Sequence, residues 1–279
     1  MIISSENQPF VMPLITVNGI SLYYELRGKG KDVTVVLNNG LLMNTSGWAY
    51  QTAALTRLYQ VLLYDLRGQG HSERIGRECD CSLELHAEDL KALLDALNLK
   101  KVHLAGISYG SEISMLFAAR WPEMVKSLFV CSAVSEILPP LRERIRQWIC
   151  AAKTGSGKLL YQATVKDNFS ASWLARHPEW EEQSIAYFEN LDFQSVIGLC
   201  NCFDNLYLTP ELKNIKVPVM LAAADNDILK PYSPYTEIIA RNIPQADTLI
   251  IAGGVGHACH IEAPKAWNAA LIGFTLLNQ

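Results

Sequence analysis

Two periodicities alternate along this chain. Short unbroken apolar runs at 33–37 (VTVVL), 61–64 (VLLY) and 102–105 (VHLA) are separated by longer stretches in which apolar residues recur every three or four positions. Unbroken apolarity over four or five residues fits a strand buried on both faces, and its alternation with helical periods predicts a mostly parallel sheet with helices on both sides. The start differs, because residues 15–17 and 21–26 flank Asn18-Gly19. That pair favours the positive φ of a tight turn, so the leading edge of the sheet is predicted to be an antiparallel hairpin. Between 82 and 97, leucines at 83, 90, 93, 94 and 97 form a helical stripe, which leaves Asp89, Lys91 and Asp95 for the solvent face.

After 125–131 (VKSLFVC) the strand-helix rhythm stops. Residues 135–214 read as helices punctuated by Pro139-Pro140, Gly155-Ser156-Gly157 and Pro178. The rhythm resumes at 217–223, passes through a helical pattern at 238–243 and a strand at 248–251, and ends in an amphipathic helix. The expected organisation is one α/β core, 12–134 and 215–279, interrupted by a helical cap at 135–214 and preceded by a flexible extension, 1–11. With 279 residues, 49% of them hydrophobic, the chain can bury one substantial core.

A formal net charge of −4 with both signs interspersed offers no basic footprint for nucleic acid or an anionic membrane. No apolar run approaches the length of a membrane span, and residues 1–12 lack the basic and apolar regions of a secretory signal. The seven cysteines, 79, 81, 131, 150, 200, 202 and 259, are odd in number and follow neither a disulfide framework nor a zinc spacing. They read as buried or incidental thiols in a reducing, cytoplasmic compartment.

The chemistry concentrates at Gly106-Ile107-Ser108-Tyr109-Gly110, a G-x-S-x-G sequence between a strand ending at Ala105 and a helical pattern at 112–120. In such an elbow the serine backbone is strained, small residues two positions either side avoid collision, and the hydroxyl projects above the carboxyl edge of the sheet. A serine hydroxyl is barely ionised at neutral pH and needs a base, which in this arrangement is a histidine held by a carboxylate, both later in the chain.

Several further segments occur in the order found in one family: Val17-Asn18-Gly19-Ile20, then Asp65-Leu66-Arg67-Gly68-Gln69-Gly70-His71-Ser72, then the elbow at Ser108. From Leu14 to Leu277 the chain resembles α/β-hydrolases of the serine esterase, enol-lactonase and haloperoxidase-like group. The resemblance implies an acid just beyond the strand that follows the cap, four residues before Pro231, which is Asp227. Asp225 is the competing carboxylate, with a loop-capping role as its alternative. It also implies His257, after Gly253-Gly254-Val255-Gly256, as the base, while His260 reads as a surface or packed histidine. Oxyanion donors are expected from the backbone N–H groups of Tyr109 and Leu41.

The family usually has His-Gly before that second donor, whereas this chain has Asn39-Gly40. A related asparagine-glycine pair occurs in acyl-transferring members, so acyl transfer or thioesterase action on carrier-bound acyl groups stands as an alternative to hydrolysis. A hydrolase-fold ligand receptor is the alternative outside enzymes. Glu112 is read as a helix-dipole partner, Asp65 and Arg67 as parts of a tight turn, and His86 and His103 as structural. Aromatics in the cap, among them Trp148, Tyr161, Phe169, Trp180 and Phe188, suit an apolar roof over a small acyl substrate. Arg142, Arg144, Arg146, Lys153 and Lys158 fit a solvated helix face better than a docking surface for an acyl-carrier protein. The mechanism implied needs neither a metal nor an organic cofactor.

Overall fold

The computed structural model describes residues 13–28, 30–75, 81–204 and 206–279. The expected extension, 1–11, and Cys79 lie outside them. Eight strands, β1 (Leu14–Val17), β2 (Ile20–Arg27), β3 (Thr34–Asn38), β4 (Gln60–Tyr64), β5 (Val102–Ile107), β6 (Val125–Cys131), β7 (Val219–Ala224) and β8 (Asp247–Ile251), form one sheet in the order β1-β2-β4-β3-β5-β6-β7-β8. The β1–β2 and β2–β4 pairs are antiparallel and the rest are parallel. Asn18 and Gly19, at φ of +48° and +74°, make the predicted turn between the first two strands.

Of the helices, α1 (Ala49–Leu55), α2 (Leu83–Ala96) and α3 (Tyr109–Arg120) precede β6. Then α4 (Pro139–Ala152), α5 (Gly157–Asn168), α6 (Ala171–Arg176), α7 (Glu179–Phe188) and α8 (Phe193–Asn201) lie between β6 and β7, and α9 (Glu237–Asn242), α10 (Cys259–Glu262) and α11 (Pro264–Leu277) close the chain. The period of two along the strands separates two cores. Val36, Leu62 and Leu104 pack towards α2 and α3, while Val35, Leu37, Val61, Leu63 and Ala105 pack with Trp48, Trp267 and Leu271 on the other face. Both faces are covered, which is why these strands read as unbroken apolar runs. Among the described residues no helix is long and apolar enough to cross a membrane.

Two expectations are corrected. Strand β5 runs past Ala105 to Ile107, so the serine follows the strand directly. Asp89 does not face solvent: it is buried and takes two hydrogen bonds from Arg67, Nε and Nη2 at 2.6 Å each, and one from Asn18 Nδ2 at 2.8 Å. The turn after β4 carries Arg67 onto the polar side of α2, and a bidentate guanidinium offsets the cost of burying the carboxylate. Between β6 and β7, Arg144 reaches the buried Asp167 (2.8 Å), which also accepts from Trp148 Nε1 (2.9 Å), and Arg142 donates to the Asp204 carbonyl (3.2 Å). Part of the basic run therefore holds these helices to one another.

Candidate active site

Ser108 sits between β5 and α3 at φ +54°, ψ −126°, a conformation that costs free energy for any residue with a Cβ. The glycines around it answer a demand for close approach. A Cβ on Gly106 would lie 2.5 Å from the Gly110 carbonyl carbon, and one on Gly110 would lie 2.0 Å from the Asn38 carbonyl oxygen. Gly40 comes next to the elbow, where an added Cβ would stand 3.5 Å from Ser108 Cβ, so the loop carrying Leu41 borders the serine. Tyr109 opens α3, and its ring turns away from Ser108 into the core, where Oη meets His86 Nδ1 at 2.9 Å.

Asn39 is fully buried beneath this loop. Its Nδ2 donates to the Tyr64 carbonyl (3.0 Å), and its Oδ1 accepts from Trp48 Nε1 (2.6 Å). Asp65 below it accepts the amides of Thr45 (2.7 Å) and His71 (2.9 Å), and burial pushes its carboxyl up to about 6 against those bonds. Asn39 thus braces the loop that carries Leu41 from behind and does not line the cavity. The Asp65 and Arg67 turn is structural, as its glycines suggest.

His257 Nδ1 lies 2.8 Å from Asp227 Oδ2, and both residues are buried. Asp227 Oδ1 also accepts the amides of Leu229 (3.0 Å) and Lys230 (2.8 Å). Burial opposes its charge, but the facing His257 and the hydrogen bonds from His257 and Lys230 outweigh it and hold the carboxyl below its usual range. Asp225 has a different task. It is exposed, and its carboxylate accepts the amides of Gly253 (2.8 Å), Gly254 (3.0 Å) and Val255 (2.8 Å), which lowers its pKa and ties the loop after β7 to the loop that carries His257.

The histidine loop also docks on the helices between β6 and β7. The Ala258 amide donates to the Asn168 carbonyl (2.8 Å), and Glu262 accepts the Ser170 amide (2.7 Å) and hydroxyl (2.6 Å). Gly256 is needed because a Cβ there would lie 2.7 Å from the Ser170 nitrogen. Above Ser108 these helices close a cavity of about 320 Å³. Leu41, Ser108 and His257 line it together with apolar groups that include Trp148, Phe169, Phe188 and Leu229.

Glu112 is more than a dipole partner. Wholly buried, it accepts the Val134 amide (3.1 Å) and the ammonium of Lys230 (2.5 Å), a lysine that also lies 4.9 Å above the Phe203 ring and borders the cavity. The ion pair joins α3, four residues past Ser108, to the loop after β7, three residues past Asp227. The burial of Lys230 was invisible to sequence reasoning, since in Asp225-Asn226-Asp227-Ile228-Leu229-Lys230-Pro231 a lysine among aspartates reads as a loop cation.

His260 is a packed histidine, its ring 5.0 Å from that of Trp48. Neither ring nitrogen has a hydrogen-bond partner among the described residues. Burial, aided by nearby His257, lowers its pKa to about 3, and burial lowers that of His86 to about 4. Both are neutral in the fold, so below an unfolded pKa of about 6.5 the unfolded chain binds more protons. Stability is therefore expected to fall as pH drops from about 6.5 towards the folded values. The variant His260→Phe is expected to match the parent at pH 7 and to unfold at a higher temperature than the parent at pH 5. Parallel pH dependences of the two thermal midpoints would show that His260 carries none of the acid sensitivity.

The family model for the alpha/beta hydrolase fold matches residues 33–264. The chain belongs to the α/β-hydrolase family, and it is a hydrolase-family enzyme. RutD of Azorhizobium caulinodans, named for carbamate hydrolysis, is 31% identical over 271 residues, spanning 94% of this chain and 98% of that protein. Among solved structures, an α/β-hydrolase enzyme from a Medee basin deep-sea metagenome library superposes with a TM-score of 0.88 at 28% identity, over 94% of this chain and 97% of the other. The enol-lactonase of Burkholderia xenovorans gives 0.87 at 27%, over 95% and 100%.

Proposed function

We propose that the protein is a serine hydrolase that cleaves a carboxylic ester or lactone of moderate size through an acyl-enzyme, with Ser108 as nucleophile, His257 as base and Asp227 as the orienting acid. The observation that carries this reading is the strained serine at φ +54° sharing one apolar cavity wall with a histidine whose far nitrogen is fixed by a buried carboxylate. With Nδ1 committed to Asp227, Nε2 is the nitrogen left to take the Ser108 proton as Oγ attacks the carbonyl carbon. The negative charge that develops on the carbonyl oxygen is received by the amides of Leu41 and Tyr109. His257 then returns the proton to the leaving alcohol oxygen, and a water activated by the same nitrogen releases the acid. Asp227 stabilises the imidazolium without taking its proton.

In this reading the helices at 135–214 form a cap that roofs the acyl site. RutD is named for a carbamate, but a small carbamate would leave most of a cavity of about 320 Å³ unfilled, whereas a medium-length acyl chain fills it. A panel of p-nitrophenyl esters of graded chain length, lactones, carbamates and acyl thioesters tests the preference. Medium-chain esters are expected to exceed both acetate and palmitate in kcat/KM; a maximum on small carbamates would reject the assignment. A fluorophosphonate probe should add once, on the tryptic peptide that contains Ser108.

A further inference from the structure

The thiols were read from sequence as buried or incidental, yet two pairs of them meet among the described residues, Cys131 with Cys259 at 3.3 Å in the core and, closer, Cys81 with Cys202. Cys81 precedes α2 in the core, and Cys202 ends α8, 121 positions later, with their sulfur atoms 2.7 Å apart. That separation is well inside van der Waals contact and about 0.7 Å from a disulfide bond length. Cys202 is followed by Phe203, which lines the cavity and packs on the Tyr109 ring at 5.4 Å.

We propose that Cys81 and Cys202 form a reversible, oxidisable dithiol that fastens the cap to the core. Its partner is a peroxide. The Cys202 thiol is the more acidic of the two: the hydrogen bond from Cys81 lowers its pKa in spite of burial, while the same bond raises that of Cys81. The Cys202 thiolate attacks one peroxide oxygen, the O–O bond breaks, and a sulfenic acid and water result. Cys81 then attacks the Cys202 sulfur and expels the hydroxyl as a second water. Two thiols lose two electrons and two protons in all, and one hydrogen peroxide becomes two waters.

His86 adjoins the pair, its Nε2 3.8 Å from Cys81 Sγ, so the three side chains also have the composition of a metal site. A metal fits less well. Two thiolates on one tetrahedral ion with bonds of about 2.3 Å stand about 3.8 Å apart, whereas these sulfur atoms lie 2.7 Å from one another. The inference does not rest on the role of Ser108.

The test treats the reduced, full-length protein with hydrogen peroxide and maps its peptides without reduction. The expected result is a protein lighter by two hydrogen atoms, with a linked peptide pair containing Cys81 and Cys202 that dithiothreitol separates. The thermal midpoint should rise by about 5 °C on oxidation, because the cross-link closes a long loop. That rise should be absent from Cys202→Ser and from the double variant Cys81→Ser/Cys202→Ser. Three outcomes would overturn the proposal: alkylation of both cysteines after peroxide treatment, a bridge from either one to Cys79, or an equivalent of zinc in the purified protein that Cys202→Ser lacks.

Discussion

Ser108→Ala is expected to lower turnover of the preferred ester by about 10⁶-fold, with fold stability unchanged to within about 0.5 kcal/mol. In the proposed mechanism the large effect on rate follows from removing the attacking atom, which no neighbour replaces. The small effect on stability follows because Ser108 stands at the N-cap of α3 without making a side-chain cap hydrogen bond, so alanine removes no structural contact there. Asp227→Asn retains the nucleophile but can present its amide nitrogen to His257 and favour the wrong tautomer. Its loss is expected to be about 10⁴-fold, mainly in kcat. Steady-state kinetics on one p-nitrophenyl ester, paired with thermal unfolding, checks both. A Ser108→Ala enzyme with a tenth of the parent rate would remove the nucleophile from the mechanism.

The largest stability effect is expected at the ion pair between α3 and the loop after β7. Lys230→Met leaves the Glu112 carboxylate buried with the Val134 amide as its remaining donor among these contacts, and is expected to cost about 3–5 kcal/mol. Adding Glu112→Gln removes the stranded charge while keeping an oxygen for Val134. The double variant should recover most of the loss, because two neutral groups replace two buried ions. Urea unfolding of the two single variants and the double variant forms the cycle. Additive losses would mean that the two side chains stabilise the fold independently of their contact.

The parts of this molecule legible in its sequence are those governed by local rules. Periodicity marked the strands because burial on both faces leaves no polar positions in β3 or β5 beyond a few with local partners. Gly106 and Gly110 marked the elbow because backbone passes where their side chains would be. What stayed hidden was pairing at long range. Asp89 looked like a solvent-facing residue on a helix, and only the path of the turn after β4 brings Arg67 to it. Glu112 and Lys230 lie 118 positions apart, and Cys81 and Cys202 lie 121 apart. The place of Asp227 four residues before Pro231 favoured it over Asp225 from sequence; what stayed hidden is that Asp225 faces the amides of Gly253, Gly254 and Val255 while Asp227 faces an imidazole. Asn39 looked like a statement about substrate, but its hydrogen bonds all point to the scaffold.

The contact of Ser170 with Glu262, and of the Asn168 carbonyl with Ala258, constrains how this enzyme can be rebuilt. A chimera that exchanges 135–214 for the corresponding helices of a relative transplants a roof and also severs one side of the socket that seats His257. Such an exchange keeps His257 in place only if the incoming segment presents a carbonyl and an N–H at those two points and stays thin enough to pass over Gly256. Libraries that vary acyl preference are better confined to the ring positions of α4 and α7, which shape the cavity without gripping the histidine loop.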